Sequence, residues 1–283
     1  MTLARVTEPR EPLIAPAIVS AFDGWVDAAG ASTAAAERIA GQGTVLATFD
    51  PDPLYDYRSR RPVLDIVDGT PTTLAWPELE ITRTRAGGRD LLVFTGPEPD
   101  FRWREIGQEV LELALRLGVV EWVSLGSIPA PVPHTRPVGI LATASKAGLL
   151  REDEHQGPDG LLRVPSAALS SIEMSVTASG IAAVGFYAQV PHYVGGSFPA
   201  GAIALLEHAG RHLGVTFALG NLPEEATATK ARIDAAVEGD EESRAYVARL
   251  ESIPGEEGLP SGDELASEIE RFLRGQAGEP GPR

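Results

Sequence analysis

The chain has 283 residues, 43% of them hydrophobic, which is enough for one large α/β domain with a small additional segment. It contains no cysteine, which excludes disulfides, thiolate nucleophiles and cysteine-ligated metals and fits a reducing compartment. The formal net charge of −16 disfavours nucleic acids and anionic lipids as partners, because both would repel an acidic protein.

The sequence carries no recognisable targeting or membrane signal. Its N-terminal stretch, "MTLARVTEPREPLIAPA", lacks the uninterrupted apolar core that signal peptides have. Every apolar run is too short to cross a bilayer as a helix. We therefore expect a cytoplasmic protein without membrane contact.

Apolar runs bounded by turn residues predict the strands of residues 1–220. Two of these runs are joined by Ala-Gly-Gly-Arg, a connection that is typical of a β-hairpin. In chain order, the predicted strands span residues 13–22, 45–49, 63–67, 79–84, 90–95, 119–125, 138–143 and 181–190.

Helical patterns alternate with these strands, at residues 27–40, 103–118, 167–180 and 199–213. In the second helix, Ile106, Val110 and Leu113 fall on one face, and Gly118 is suited to end it. Continuously apolar strands separated by helices predict an α/β fold. We expect a mostly parallel central sheet covered by helices on both faces.

The composition changes after residue 220, where the chain becomes charged. Residues 221–283 carry a net charge of −8, half of the total. Amphipathic patterns predict helices at 224–238, 241–250 and 263–273, which together form an acidic helical extension over residues 221–275. The last segment, 276–283, has the composition of a disordered tail.

Ligands of parallel sheets bind beyond the carboxyl ends of the strands, so the segments that follow the predicted strands are candidates for a site. These segments combine aromatic, acidic, basic and proline residues, and Val-Pro-His occurs in two of them, at 132–134 and 190–192. We expect the segments to meet at one edge of the sheet. The candidates for a pocket rim or a partner-binding surface are Asp23, Trp25, Asp27, Tyr55, Tyr57, Arg58, Phe101, Trp103, His134, Arg136 and His192.

Catalysis at this edge is one interpretation, since two aspartates and two histidines could supply acid–base chemistry. However, the sequence contains no Gly-x-Ser-x-Gly nucleophile elbow and no glycine-rich phosphate loop. His208 and His212 have a spacing that can bind zinc, but no third ligand is evident, so an ordinary amphipathic helix is favoured. We expect neither a cofactor nor a metal.

Structural roles explain many of the same residues individually. Asp23 and Asp27 suit helix capping, and the prolines fix loop geometry. Ser166, Ser170, Ser171 and Glu173 suit the capping of the helix predicted at 167–180, more than an anion site. Taken together, however, the tyrosines, arginines and prolines of "PDPLYDYRSRRP" are typical of a stiff protein-binding surface.

Six stretches resemble the actinobacterial branch of the proteasome assembly chaperone 2 family. They are "SAFDGWVDAAGASTAAAERI", "TFDPDPLYDYRSRRP", "LLVFTGPEPDFRWREI", "GSIPAPVPHTRPV", "VPSAALSSIEM" and "GFYAQVPHYV". The resemblance covers about residues 12–220 and implies a phosphorylase/hydrolase-like α/β fold followed by a helical extension. It supplies no verified catalytic residues. Eukaryotic relatives dock through C-terminal tails that end in a hydrophobic-Tyr-x pattern, whereas this chain ends in Glu-Pro-Gly-Pro-Arg.

The sequence therefore favours a non-enzymatic binding or assembly protein, with a protein partner such as proteasome subunits and with self-association into a homo-oligomer. The first alternative is a small-molecule enzyme, phosphorylase/hydrolase-like or ATP-grasp-like, with its site at the carboxyl ends of the strands. The second alternative makes the acidic helices the functional part, binding a basic segment or mimicking a polyanion.

Overall fold

The computed structural model describes residues 2–154, 157 and 160–253. Ten strands are present in this part of the chain. They are β1 (Ala4–Val6), β2 (Ala17–Asp23), β3 (Thr44–Phe49), β4 (Val63–Val67), β5 (Thr70–Ala75), β6 (Leu79–Ala86), β7 (Arg89–Pro97), β8 (Glu121–Ala130), β9 (Ile140–Ala144) and β10 (Ala182–Pro191).

Six α-helices accompany the strands in the described residues. They are α1 (Ala31–Ala40), α2 (Trp103–Leu117), α3 (Ala168–Thr177), α4 (Pro199–Leu213), α5 (Leu222–Glu238) and α6 (Glu241–Ser252). Across those residues, no helix combines the length and the apolar character needed to cross a membrane.

Eight strands form one sheet, in the order β1-β3-β6-β7-β2-β8-β10-β9. The four adjacent strands β7, β2, β8 and β10 run parallel, while β1, β3 and β6 on one side and β9 on the other join by antiparallel pairing. The predicted α/β class is confirmed, with the parallel pairing in the middle and antiparallel strands at both edges. Within the described residues, β4 and β5 pair only with each other.

Helices cover both faces of the sheet, as the continuous apolar strands predict. Residues Ala17–Phe22 of β2 are all buried, which requires a layer on each side. Helices α2 and α3 pack on one face, around Ile18 and Trp122. Helices α1 and α4 pack on the other, around Val19 and Val123.

Two local predictions are met closely. Helix α2 buries Ile106, Val110 and Leu113 and ends at Gly118, whose φ of 69° is a left-handed conformation that suits glycine. Strands β6 and β7 form a hairpin with a two-residue turn, Gly87–Gly88, both at positive φ.

Three features differ from the sequence prediction. Helix α1 begins at Ala31, four residues later than predicted, after a 3₁₀ turn at Ala28–Gly30. Strand β1 was not predicted because it is short and gains its order from pairing with β3. The backbone amides of Leu3 and Ala4 also donate to the Glu109 carboxylate, at 2.6 and 2.8 Å. Strand β5 was not predicted because "TPTTLA" carries no apolar alternation.

The helical extension observed here comprises α5 and α6. Helix α5 packs against α4, where Leu222 is buried, and α6 packs against α5 with Val247 and Leu250 buried. The helix predicted at 263–273 and the tail predicted at 276–283 lie outside the described residues. The division of the chain near residue 220 stays a prediction.

Candidate functional site

Five loops meet at one edge of the sheet. Strands β2, β7, β8 and β10 are parallel, so their carboxyl ends lie at the same edge. Strand β3 runs in the same direction, because it is antiparallel to β6 and β6 is antiparallel to β7. The loops that carry all the candidate residues therefore gather as the sequence predicts. We call this the strand-end surface.

Glu98 ties three segments of the strand-end surface together. Its carboxylate accepts hydrogen bonds from the backbone amides of Trp25 at 2.8 Å and Ala168 at 2.7 Å. Its own amide donates to the Asp23 carbonyl at 2.9 Å. Glu98 thus satisfies the first amide of α3, a capping role that the sequence analysis assigned to residues within that helix.

Asp23 and Asp27 have different surroundings. The Asp27 carboxylate accepts from the backbone and hydroxyl groups of Ser32 and Thr33, at 2.6–3.2 Å, so it caps α1 from outside the helix. Asp23 is exposed and lies 3.3 Å from the Arg60 guanidinium. Trp25 is half-buried against the core. None of these three residues requires a catalytic explanation.

Tyr55 is not part of an exposed surface, which corrects the sequence expectation. Only 3% of it is exposed, and its hydroxyl donates to the Pro97 carbonyl at 2.8 Å. Burial raises the pKa of this phenol well above its ordinary value. The aromatic ring therefore packs the loop after β3 onto the sheet.

Other aromatic side chains of this region remain accessible. Phe101 is 51% and Trp76 44% exposed, and Tyr57 packs edge-on against Trp76 with ring centroids 4.7 Å apart. The Arg58 side chain is 88% exposed and pairs with Asp56. Trp103 is half-buried and donates to the Pro99 carbonyl at 2.5 Å.

Backbone hydrogen bonds hold the two aromatic loops side by side. The amides of Asp100 and Phe101 both donate to the Leu54 carbonyl, at 2.9 and 3.1 Å. In return, the Asp56 amide donates to the Asp100 carboxylate at 2.8 Å. Phe101 and Tyr57 are thus presented from one connected structure.

The loop that carries Tyr57 continues into a projecting hairpin, which we call the hairpin arm (residues 63–75). Every residue of β4 and β5 is exposed. The arm nevertheless presents large apolar side chains, from 47% to 64% exposed: Val63, Leu64, Ile66, Val67 and Leu74. The apolar run at 63–67 predicts a strand but not its exposure, since an apolar run normally signals burial.

The two Val-Pro-His segments lie side by side at the other end of the strand-end surface. The rings of His134 and His192 both pack edge-on against Tyr193, with centroids 5.7 and 5.6 Å away. The Tyr193 hydroxyl accepts from the His134 backbone amide and lies 2.8 Å from His134 Nδ1. Burial raises the pKa of Tyr193.

Both histidines contact the helical extension. His134 Nε2 lies 3.0 Å from the Asp234 carboxylate on α5, and His192 Nε2 lies 3.0 Å from the Tyr246 hydroxyl on α6. Because the Ala130 carbonyl can only accept, His192 Nδ1 donates to it at 3.2 Å, which leaves Nε2 as the acceptor for Tyr246. A hydrogen bond from Lys230 is the main cause that lowers the pKa of Asp234, with a smaller contribution from His134.

The rest of the proline-rich loop "GSIPAPVPHTRP" also holds these helices. Arg136 donates to the backbone carbonyls of Ile253, at 2.8 Å, and of Glu251. Thr135 Oγ1 donates to the Glu251 carboxylate at 2.5 Å. The loop therefore contacts the chain's own C-terminal helices, and the His134 side chain is only 2% exposed.

The remaining candidates for chemistry have structural partners. His212 pairs with Glu121 at 3.1 Å, and His208 donates to the Ala204 carbonyl at 2.9 Å. Glu173 was expected to help to cap α3 but instead accepts from Ser124 Oγ at 2.5 Å. In the described part of the chain, no three His, Asp or Glu side chains are grouped as metal ligands.

A cavity of about 550 Å³ lies between α5, α6 and the loop after β10. Among the described residues that line it are Tyr193, Tyr246 and Arg232, but neither His134 nor His192. The histidine–carboxylate pair that an enzyme would need therefore does not face this cavity.

Comparisons with known proteins agree with the resemblance noted in the sequence. A model of the PAC2 family matches residues 21–237. The Mycobacterium tuberculosis proteasome-assembly chaperone homologue Rv2125 is 35% identical, with a TM-score of 0.75 over 82% of this chain and 99% of that chain. The M. tuberculosis protein of unknown function Rv2714 is 30% identical, with a TM-score of 0.81 over 98% of this chain and 91% of that chain.

The same fold extends to a more distant structure. Pyrococcus furiosus PbaB, an archaeal proteasome activator, is 15% identical, with a TM-score of 0.63 over 83% of this chain and 99% of that chain. No curated protein matches the chain. Because the family model spans most of the sequence and Rv2125 shares 35% identity, this chain belongs to the PAC2 family.

Proposed function

We propose that this chain is a non-enzymatic, chaperone-type protein of the cytoplasm that binds a protein partner through the hairpin arm and the adjacent Tyr57, Arg58, Trp76 and Phe101. The observation that carries the proposal is the exposure of large apolar side chains on both faces of the arm. Contiguous exposed apolar surface on a folded protein is typical of a protein-binding site.

The physical character of the arm supports this role. A two-stranded hairpin is marginally stable in water, so burying Leu64, Ile66 and Leu74 against a partner would stabilise both the arm and the complex. Trp76, which follows the arm directly, is exposed, as are Arg58 and Phe101. Tryptophan and arginine are residue types that dominate binding energy at interfaces.

Proteasome subunits are the partner we propose. Support comes from PAC2 family membership and from the similarity to Rv2125, a proteasome-assembly chaperone homologue. A chaperone of this kind needs no cofactor, because it acts by binding one state of a subunit more tightly than another. We include self-association in the proposal, since the arm of one copy offers apolar surface to a second copy.

The enzyme alternative has less support. His134 and Asp234 form a histidine–carboxylate pair, but the imidazole is almost fully buried and both of its nitrogens have partners. Asp27 is likewise occupied by the first residues of α1. A general base must reach a substrate proton, and neither group does so here.

The test is binding of purified proteasome subunits of the source organism to the full chain, measured by calorimetry. The double variant Ile66→Ser and Leu74→Ser removes apolar arm surface, and we expect binding at least about tenfold weaker, or about 1.4 kcal/mol. The matched control, Leu115→Ser with Met174→Ser, changes two apolar residues on α2 and α3 that are 58% and 72% exposed. Unchanged binding by the arm variant, or loss in both, contradicts the proposal.

A further inference from the structure

The two edges of the hairpin arm differ in the hydrogen-bonding groups that they expose. Strands β4 and β5 pair antiparallel and are joined by the turn Asp68–Gly69, in which both residues have positive φ. In an antiparallel ladder, hydrogen-bonded residue pairs alternate with non-hydrogen-bonded pairs. The amide and carbonyl groups of the non-hydrogen-bonded residues point away from the neighbouring strand, so these residues define the outer edge.

Pro71 identifies the residues of β4 that point outward. It lies opposite Ile66 and has no N–H, so the two cannot form a hydrogen-bonded pair. The amide and carbonyl of Ile66 therefore face away from β5, and those of Leu64, two residues earlier, do the same. The Thr72 hydroxyl donates to the Asp65 carbonyl at 3.2 Å, which agrees with Asp65 facing β5. The outer edge of β4 thus offers a donor and an acceptor from both Leu64 and Ile66.

The outer edge of β5 is less suited to accept another strand. Pro71 supplies no donor there, and the register shift between Asp65 and Ile66 leaves Thr72 as an extra residue on β5, a β-bulge. Prolines and bulges protect sheet edges from pairing with other chains. Of the two strands of the arm, β4 is therefore the one whose edge can accept a further strand.

The side chains of β4 specify the kind of strand that fits its edge. Leu64 lies opposite Leu74, and both side chains are on one face of the arm. Ile66 and Pro71 are on the same face, which is therefore apolar. Asp65 is exposed on the opposite face. An added strand with apolar residues opposite Leu64 and Ile66 and a basic residue opposite Asp65 complements both the apolar face and the net charge of −16.

A second copy of this chain does not fit the same edge. The antiparallel register that uses both outward residues of β4 pairs Leu64 with Ile66 of the second copy. This register places Asp65 directly opposite Asp65 of the second copy. Like charges in directly opposite positions are destabilising. The edge therefore favours a different protein, whereas the apolar face of the arm stays available for self-association.

The arginines before the arm do not repel a basic strand at this position. Arg58 and Arg60 each pair with an aspartate, at 3.1 and 3.3 Å. Arg61 precedes Asp65 by four residues, about 13 Å along an extended chain, which exceeds the Debye length of about 8 Å at physiological ionic strength. The carboxylate of Asp65 therefore dominates the charge at the middle of the β4 edge.

We propose that the β4 edge binds an extended segment of a protein partner as an additional antiparallel strand, with an apolar-basic-apolar pattern opposite Ile66, Asp65 and Leu64. This inference rests on the proposed function of the arm and adds the binding mode and the chemistry of the partner segment. In this mode, main-chain hydrogen bonds supply affinity and alternate side chains supply specificity. The added strand converts a marginally stable two-stranded hairpin into a three-stranded sheet.

A fluorescein-labelled peptide, Gly-Thr-Val-Lys-Val-Thr-Gly, tests the proposal by fluorescence anisotropy with the full chain. Leu64→Pro removes an outward N–H from the β4 edge. The matched control, Leu74→Pro, changes the same residue type on the same face but at the β5 edge, and the two leucines are 49% and 47% exposed. Both amides point outward, so neither proline removes a hydrogen bond between β4 and β5. We expect Leu64→Pro to weaken binding at least about tenfold and Leu74→Pro less than about threefold.

Charge exchange gives a second measurement that does not depend on a proline. The wild-type chain should bind the lysine peptide at least about fivefold more tightly than the same peptide with glutamate in place of lysine. Asp65→Lys should reverse this preference, because it exchanges the sign of the charge at the middle of the edge. Circular dichroism of each variant checks that the fold is retained.

Several results would overturn the proposal. Equal losses in the two proline variants would place the peptide on the apolar face, and an unchanged preference in Asp65→Lys would exclude the charge pairing. Absence of peptide binding by the wild type also contradicts the proposal but leaves the binding of proteasome subunits to be decided by the Ile66→Ser, Leu74→Ser variant. Conversely, peptide binding at the edge without subunit binding supports the added strand and contradicts the proposed partner.

Discussion

His134 and His192 act as fixed structural links. Each ring has both nitrogens engaged, His134 with Tyr193 and Asp234, and His192 with the Ala130 carbonyl and Tyr246. The His134 ring is buried and His192 is partly buried, and hydrogen-bonded imidazoles in such positions hold neighbouring segments in one geometry. The two histidines thus position α5 and α6 on the strand-end surface.

The titration of Glu173 should change the free energy of unfolding with pH. Burial raises the pKa of its carboxyl, which accepts from Ser124. A carboxyl with a higher pKa in the folded protein than in the unfolded chain stabilises the fold at low pH. This contribution disappears as the pH rises through the folded-state pKa.

We therefore expect Glu173→Gln to match the wild type near pH 4 and to exceed its free energy of unfolding near pH 8, because glutamine stays neutral and can still accept from Ser124. Urea unfolding at a series of pH values measures this difference. Glu112→Gln on the exposed face of α2 is the control and should follow the wild-type curve. A Glu173→Gln difference independent of pH would contradict the assignment.

The hairpin arm contributes little to the stability of the isolated chain. Its strands bury little surface, and its main anchor is the packing of Trp76 at its base against Tyr57. Exposed apolar side chains lower the solubility of a protein. Binding to a partner therefore explains their presence on the arm better than a role in folding does.

Replacing residues 64–74 by a short Gly-Ser turn should lower the free energy of unfolding by less than about 1 kcal/mol, because these residues bury little apolar surface in the folded chain. Binding to proteasome subunits should fall at the same time. Phe94→Ala in β7, which is fully buried, is the contrasting control with an expected loss of about 3–5 kcal/mol. A comparably large loss on arm removal would mean that the arm is part of the core.

In the described residues, the helical extension is joined to the α/β sheet through α4 and through the loop after β8. Leu222 packs against α4, His134 reaches Asp234, and Arg136 holds the end of α6. These links lie at two separate places, α4 and the loop after β8, so they fix the orientation of the extension as well as its attachment.

A double-mutant cycle measures this coupling directly. His134→Ala and Asp234→Ala should show an interaction energy of about 1 kcal/mol in urea unfolding, because each loses the same hydrogen bond. The control cycle, Lys230→Ala with Asp234→Ala, removes an exposed pair and should give about 0.5 kcal/mol or less. An interaction energy near zero in the first cycle would mean that the His134–Asp234 contact does not join the two parts.

Much of the fold could be predicted because its signals are local. The spacing of Ile106, Val110 and Leu113 specifies a helix face, and Gly87–Gly88 specifies a tight turn, whatever surrounds them. Strand β1 escaped prediction because pairing with β3, and not its own three residues, gives it order. The location of the candidate site at the strand-end surface could be predicted, because parallel strands end at the same edge of the sheet.

Residue patterns and strand direction are sufficient to predict the family, the α/β class and the gathering of the loops. The accessibility of the candidates is known only from the folded chain: Tyr55 and His134 are buried, while Phe101 and the hairpin arm are exposed. The physical reason is that burial depends on contacts between distant residues. The contact of His134 with Asp234, 100 positions away, leaves no periodic signal in the sequence around either residue.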